Sequence, residues 1–589
     1  MSTAFVPRPR SRFPWLAAGL GTAAGVAGLA LVLIVAFLVI GMASGALDWG
    51  RLLTSAVWDV PRGRFGATAM IWGTAAVAAL ALAVAGPVGW AVAVAISDVA
   101  PARWRRSLRS GAELLAVVPS IVFGLIGVAY VRPLVARVAG VPGGDSLLAA
   151  GLVLAVMILP TIVAVSVDAL AAVPPAVRET AAACGLTRSE VIRSAVLPAA
   201  RPGMWAGLLL GLARALGETV AVFLVVGRAD GRLPRSFSQL FDLLVRPGQT
   251  LTTKLNGPES VLAGTSGPHW AALCGLGLIL LAAVVLLTVA GHGRRSPVPR
   301  RTRLRSVWGG RFVRDRAVRA GLTAILAVPF LAVAAIALVT LAKGTKALDP
   351  GFWTATAEGA SGGGIRGQLA GTAVLVAVAG LIAAPVGLGL GLVMSEYARP
   401  AAGRWLRTLT LTLGGVPSIL LGLWGYWLFS TRLGWGKSWL AGSIVLAVVA
   451  IPPVVVAVAA ASAALPPGRR EAALALGLRR DQFVRSVLVP QAVPGLVTGL
   501  LLGLARAAGE TAPLLFTATV FNGAPVLPSG VRESPVASLP THIFVLAQDA
   551  ADPEALRVAW GAAVALIVVA GLLVAAAVPA RRWKDRSAA

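Results

Sequence analysis

The chain has 589 residues, of which 57% are hydrophobic and 13% charged, with a mean hydropathy of +0.83; that balance excludes a string of soluble domains and points to a membrane protein. Lys and Arg outnumber Asp and Glu by 52 to 24, a formal charge of +28. The basic residues lie mainly between apolar stretches, so the excess reads as membrane orientation rather than nucleic-acid binding.

Arg8, Arg10 and Arg12 precede an apolar run over residues 15–42, which is longer than a secretory signal core and is expected to stay as a first span. A spanning helix needs about 20 apolar residues, because hydrocarbon satisfies no open backbone group. By that criterion the first half has spans at 15–42, 67–97, 110–131, 148–172, 203–227 and 269–291. The second half has them at 318–342, 369–396, 408–430, 441–465, 494–520 and 555–580. The expected fold is therefore an all-α polytopic membrane protein of twelve spans. Residues 1–292 form one six-helix half, 293–317 a basic linker and 318–589 the second half.

The halves repeat one another. The second spans align at an offset of 298 residues, with Gly73 on Gly371 and Pro87 on Pro385, and the sequence VPSI at Val118 recurs at Val416. From Pro160 and Pro452 onward the offset is 292, so the second half is six residues shorter after its third span. An even number of spans per half leaves both halves in the same orientation, related by a pseudo-two-fold axis along the membrane normal. Arginine clusters at 103–109, in the segments after each fourth span and at the C-terminus place those segments and both termini in the cytoplasm. The join at 293–319 holds ten arginines against one acid, Asp315, and is expected on the inner face, as a tether or against anionic lipid.

The longest repeated stretch follows each fourth span. ETAAACGL from Glu179 matches EAALALGL from Glu471, Gly185 falls on Gly477, and Pro198 falls on Pro490. The Ala-rich segment, containing Ala181 and Ala473, is expected to form a short helix. Each Gly permits a sharp turn, and each Pro is expected to end the amphipathic segment that follows. The product is a surface elbow with an Ala face free for a partner.

After each elbow, Gly203, Gly207 and Gly211 match Gly495, Gly499 and Gly503. A Gly every fourth residue lines one helix face and lets another backbone approach, so the two fifth spans are expected near the centre. Arg214 and Glu218, and likewise Arg506 and Glu510, are four apart and are expected to share a helix face as local ion pairs. An unpaired charge at that depth costs roughly 2.5–3.5 kcal/mol, so such charges usually face a pathway. The other reading is that each pair only neutralises itself between helices. Two arginines across the pseudo-axis suit a tetrahedral oxyanion, and Thr219 and Thr511 are assigned to the same path.

No catalytic or metal chemistry is expected. Cys184 and Cys274 do not form a framework, and His269, His292 and His542 have no ligand-spaced neighbours. Gly436, Lys437 and Ser438 spell GKS, but Thr431 stands where a phosphate loop needs its first Gly.

The elbows resemble the EAA coupling loop of bacterial ABC importer permeases. Residues 48–292 are similar to the C permease subunit of the phosphate-specific (Pst) ABC transporter, on PVG at Pro87, VPSIVFGL at Val118, ARALGETVAV at Ala213 and RPGQTLTTK at Arg246. From residue 348 the chain is similar to the A subunit, on SEYA at Ser395, GVPSILLGL at Gly415, EAALALG at Glu471, GETAPLLFTA at Gly509 and LPTHIF at Leu539. It departs from the pattern in being one fused chain, in ETA for EAA at Glu179 and in its first 45 residues.

The resemblance implies an ABC type I importer permease fold in a bacterial cytoplasmic membrane, moving inorganic phosphate. It implies a cytoplasmic ATPase dimer that uses ATP and Mg, while this chain binds no cofactor and is no enzyme by itself. It further implies an extracytoplasmic phosphate-binding protein and leaves room for a phosphate-signalling regulator. A permease for sulfate or molybdate, or a secondary carrier, is the competing class.

Overall fold

With no water to satisfy it inside a bilayer, the backbone must bond to itself, and this chain does so almost wholly as helix. The computed structural model describes residues 14–588 apart from 46, 116–117, 235, 294–310, 359–361 and 521–524. Arg8, Arg10, Arg12 and most of the basic linker lie outside the described residues. Among those described, ten helices are long and apolar enough to cross a membrane, or eleven if the bent pair Pro400–Gly415 and Ser418–Arg432 counts as one span. The protein is a multi-pass membrane protein. The expected span at 15–42 is the helix Pro14–Ala43, and the helix expected from residue 318 begins at Arg311.

Two pairs of expected spans are not continuous. Residues 110–131 divide into an amphipathic helix Ala102–Leu115 and an apolar one beginning at Ser120, and the counterpart at 408–430 bends by 89°. Both breaks fall at the proline of VPSI, where Pro119 and Pro417 adopt ψ of 138° and 130°. Proline lacks the amide proton a helix needs there and pushes the preceding residue towards extended backbone. The fifth spans also stop early: their helices end at Gly217 and Ala508, not at 227 and 520. A short helix follows each break, Val220–Phe223 in one half and Ala512–Thr517 in the other.

The first helix of each half packs on the other half. Pro14–Ala43 lies against Arg366–Leu392, and Phe37 rests 5.5 Å from the Trp427 ring. Arg311–Gly344 reciprocates against Thr68–Val94 and its end and against Ala102–Leu115, where Gly111 leaves room for Phe330. This exchange ties the two repeats into one body, with an apolar core running through both.

Candidate translocation site and coupling elbows

Each elbow is a helix, a left-handed glycine and a second helix. In the first half these are Pro175–Ala183, Gly185 at φ 73° and Arg188–Val191. In the second they are Pro467–Ala475, Gly477 at φ 71° and Arg480–Phe483. Open space surrounds both glycines, so positive φ, not crowding, requires Gly there. Ala181 and Ala473, expected on a face free for a partner, instead turn inward and are both 5% exposed, whereas Glu179 and Glu471, with Ala182 and Ala472, face solvent. Glu190 and Gln482 reach back to the amides of Thr187 and Arg479, each at 2.9 Å, so both second helices are capped in the same way.

Pro198 and Pro490 do not end the segments that precede them. Each sits at the second position of a helix entered through a π turn, Ile192–Val196 or Val484–Leu488, and the helices run on to the centre. The wider turn accommodates a residue that cannot donate to the ordinary partner.

An acid at the end of each second span pins the elbow, and neither acid was assigned a role from the sequence. Arg178 pairs with Asp98, which is 6% exposed, and donates to the Leu170 carbonyl at 2.8 Å. In the second half Glu396 receives Arg470 and, at 3.3 Å, Arg480. Asp98 and Glu396 stand at the 298-residue offset and Arg178 and Arg470 at 292, so recurrence of an acid just past an apolar span was the available signal.

The helices that leave the elbows carry the glycine stripes, and each stripe faces the fourth span of its own half. Methyl groups at Gly203 and Gly211 would collide with Ala169 and Ile162, and Gly207 lies over Ser166. Gly495 and Gly499 approach Ala457, and Gly503 approaches Ala450.

At the far end of these helices stand the charges. Arg214 and Glu218 do not share a helix face, because the helix ends at Gly217 and Glu218 turns out with ψ of 133°. Arg214 instead donates to the Thr161 hydroxyl at 2.9 Å. Glu218 bonds the Ser120 side chain of VPSI and accepts from the Ala221 amide at 3.4 Å. Glu510 also lies past its helix end, but Arg506 remains within 3.7 Å of it. Arg214 feels the charges of Glu218, Arg506 and Glu510 together, so the two halves bring all four groups to one place. Thr219 and Thr511 are each 1% exposed and begin the two short helices; the Thr511 hydroxyl has no partner among the described residues.

The broken ends interlock across the halves. Gly217 lies against Pro417 and Gly509 against Pro119, so the glycine before each Glu meets the VPSI proline of the other half. Within each half the two short helices also touch, at Gly124 over Ala221 and at Gly422 over Pro513. Beyond the charges Phe223 and Phe544, one from each half, stand 5.3 Å apart.

Past this point the first half has a buried cation that sequence reading missed. Lys254, 1% exposed, bonds Glu259 at 2.7 Å and Asp230 at 3.0 Å, under the Trp58 ring. Glu259 also lies 3.3 Å from His269, so that histidine does have an acidic neighbour, brought there by folding across ten residues. The GKS lysine is structural: Lys437 donates to the Thr519 carbonyl at 2.8 Å.

Paired elbows leading through glycine-striped helices to broken, charged ends at a pseudo-symmetric junction define the permease component of an ABC importer. The chain belongs to the family of binding-protein-dependent transport system inner membrane components, whose pattern it matches twice, over residues 85–295 and 387–583. It is 40% identical over 179 residues to the probable ABC transporter permease protein YqgH of Bacillus subtilis, covering 30% of this chain and 58% of that one. It is 33% identical over 254 residues to the phosphate transport system permease protein PstC of Mesorhizobium japonicum, covering 40% of this chain and 75% of that one. It is 37% identical over 214 residues to the phosphate transport system permease protein PstA 2 of Mycobacterium bovis, covering 36% and 70%. The PstC-like similarity falls on the N-terminal half and the PstA-like similarity on the C-terminal half. No solved structure matches the chain.

Proposed function

We propose that this chain is the fused permease of an ABC importer that moves inorganic phosphate across the bacterial cytoplasmic membrane. The observation that carries the reading is the meeting of Arg214, Glu218, Arg506 and Glu510 at the broken ends of two pseudo-equivalent helices. Guanidinium groups hold a tetrahedral oxyanion through paired hydrogen bonds. Carboxylates beside them keep the empty path from becoming a fixed anion trap. Discontinuous helices at mid-membrane expose backbone and side-chain donors to a passing ion without exposing them to lipid.

In this reading the elbows and both termini are cytoplasmic, and the exposed Glu179, Ala182, Glu471 and Ala472 dock on a dimeric ATPase that uses ATP and Mg. Closure of that dimer draws the elbows together, and the Arg178–Asp98 and Arg470–Glu396 pairs transmit the displacement to the second spans. An extracytoplasmic phosphate-binding protein delivers substrate to the opposite face. There the Phe223–Phe544 contact closes the path on the side away from the elbows: the adjacent Val225 carbonyl accepts from Ser146, where the fourth span begins.

Copurification with the companion ATPase, followed by ATP hydrolysis assays with the loaded binding protein, tests the assignment. The expected result is a stable complex whose hydrolysis rises with phosphate-loaded binding protein. A chain that binds no ATPase, yet moves phosphate alone, would place it among secondary carriers.

A further inference from the structure

Each half has a recess between its elbow and the end of its second span, and the two recesses are filled differently. In the second half Phe483, 4% exposed, packs among Tyr397 and Leu465 and plugs the space. The arginines there are occupied: Arg480 stacks over Tyr397 at 4.6 Å and pairs with Glu396, while Arg470 pairs with Glu396 and lies over Phe483. In the first half the same positions hold the smaller Val191, Val99 and Val173.

A cleft of 690 Å³ results, walled by apolar side chains such as Val167 and Ile192 and lined by Arg105, Arg109, Arg178 and Arg188 against a single acid, Asp98. Asp98 neutralises Arg178, and Asp168 neutralises Arg109. Among the described residues Arg188, the counterpart of Arg480, has no ion-pair partner, and Arg105 is bonded only through its Nε, to the Ala100 carbonyl at 3.0 Å. The Ser97 hydroxyl, also on the lining, is buried without a partner among the described residues. Two uncompensated guanidinium groups and a spare hydroxyl over an apolar floor make a site for an anion with a phosphate group.

We propose that this cleft binds a phosphate-bearing anion, either inorganic phosphate or the headgroup of an anionic phospholipid, and that the bound group bridges the first elbow to the second span. Arg188 belongs to the elbow and Arg105 to the helix that follows the second span. An occupant shared by both restrains that elbow, whereas in the second half aromatic packing fixes the equivalent joint permanently. The two elbows therefore respond differently to the same surroundings.

The test uses the full chain purified in neutral detergent. Binding of labelled inorganic phosphate and retention of phosphatidylglycerol, read by native mass spectrometry, are measured for the parent and for Val191→Phe, Arg188→Gln and Arg480→Gln. Val191→Phe copies the second half's plug, and Arg188→Gln is an exposed change that leaves packing intact. The parent and Arg480→Gln are expected to hold one of the two probes, and Val191→Phe and Arg188→Gln to hold it at least tenfold more weakly. Retention that survives Arg214→Ala and Arg506→Ala separates this site from the central charges. Selective loss of labelled phosphate identifies the free ion, and selective loss of phosphatidylglycerol identifies a lipid. Failure of the parent to hold either probe, or equal retention by Arg188→Gln, overturns the proposal.

Discussion

Gly509 of the second half packs against Pro119 of the first so closely that a methyl group at 509 would come 2.9 Å from the proline Cβ, whereas one at Gly217 would stay 3.7 Å from Pro417. The junction is pseudo-symmetric in design but tighter on one side. Gly509→Ala forces the broken helix end off the proline and is expected to destabilise the chain by about 1–3 kcal/mol. Gly217→Ala meets ordinary contact distance and is expected to be near neutral. Thermal unfolding in detergent would separate them, and equal losses would mean that the two junctions are equally tight.

Arg214 is held by Thr161 and Arg506 by Glu510. Removing either guanidinium is expected to abolish uptake while the ATPase still copurifies. Thr161→Val keeps the charge and loses only its anchor, so uptake should fall by about tenfold, roughly the worth of one charged hydrogen bond. Thr161→Ser should restore it. Wild-type uptake in Thr161→Val would show that the anchor is irrelevant to the path.

At Gly185 and Gly477 the backbone is left-handed, which costs a residue with a Cβ roughly 1 kcal/mol. Alanine at either position should therefore weaken ATPase attachment moderately, and Gly477→Pro should detach or uncouple it. Unchanged ATP-driven uptake in Gly477→Pro would count against the elbow assignment.

Asp98→Asn leaves Arg178 without its charge partner, and Glu396→Gln does the same to Arg470 and Arg480 at once. Both variants are expected to hydrolyse ATP with uptake lowered about tenfold, because the elbow is no longer tied to the second span. A parallel fall in hydrolysis and uptake would point to lost folding instead.

Burial pulls the pKa of the His542 imidazole down to about 4, and its Nε2 has no partner among the described residues. An unfolded histidine protonates near 6.5. Stability from keeping His542 neutral is thus complete above about pH 6.5 and drains as pH falls towards 4, by roughly 1 kcal/mol per pH unit. His542→Gln should flatten this part of the pH profile of thermal unfolding; an unaltered profile would mean that another group titrates there.

The elbows were legible because their geometry is local: a left-handed glycine and capped short helices are written into a dozen residues. The repeat was legible for the same reason, since matching residues recur at fixed offsets. The broken spans were not. Hydropathy counts residues 203–227 and 494–520 as continuous, but the breaks at Gly217 and Gly509 are set against Pro417 and Pro119 from the opposite half. The reading of Arg214 and Glu218 as neighbours on one helix face failed with them, because spacing of four ensures proximity only while the helix lasts; Arg506 and Glu510 stay 3.7 Å apart although their helix also ends between them. Asp98 and Glu396 were visible as repeated acids, yet their role depends on an elbow about eighty residues away along the chain.

The central claim is tested most directly by uptake into proteoliposomes holding only this chain, its ATPase and the binding protein. ATP should drive accumulation of labelled phosphate that unlabelled phosphate competes away and that excess sulfate and molybdate leave intact, and the Arg214→Ala, Arg506→Ala double variant should accumulate none. Competition by sulfate or molybdate equal to that by phosphate, or normal accumulation in the double variant, would contradict it.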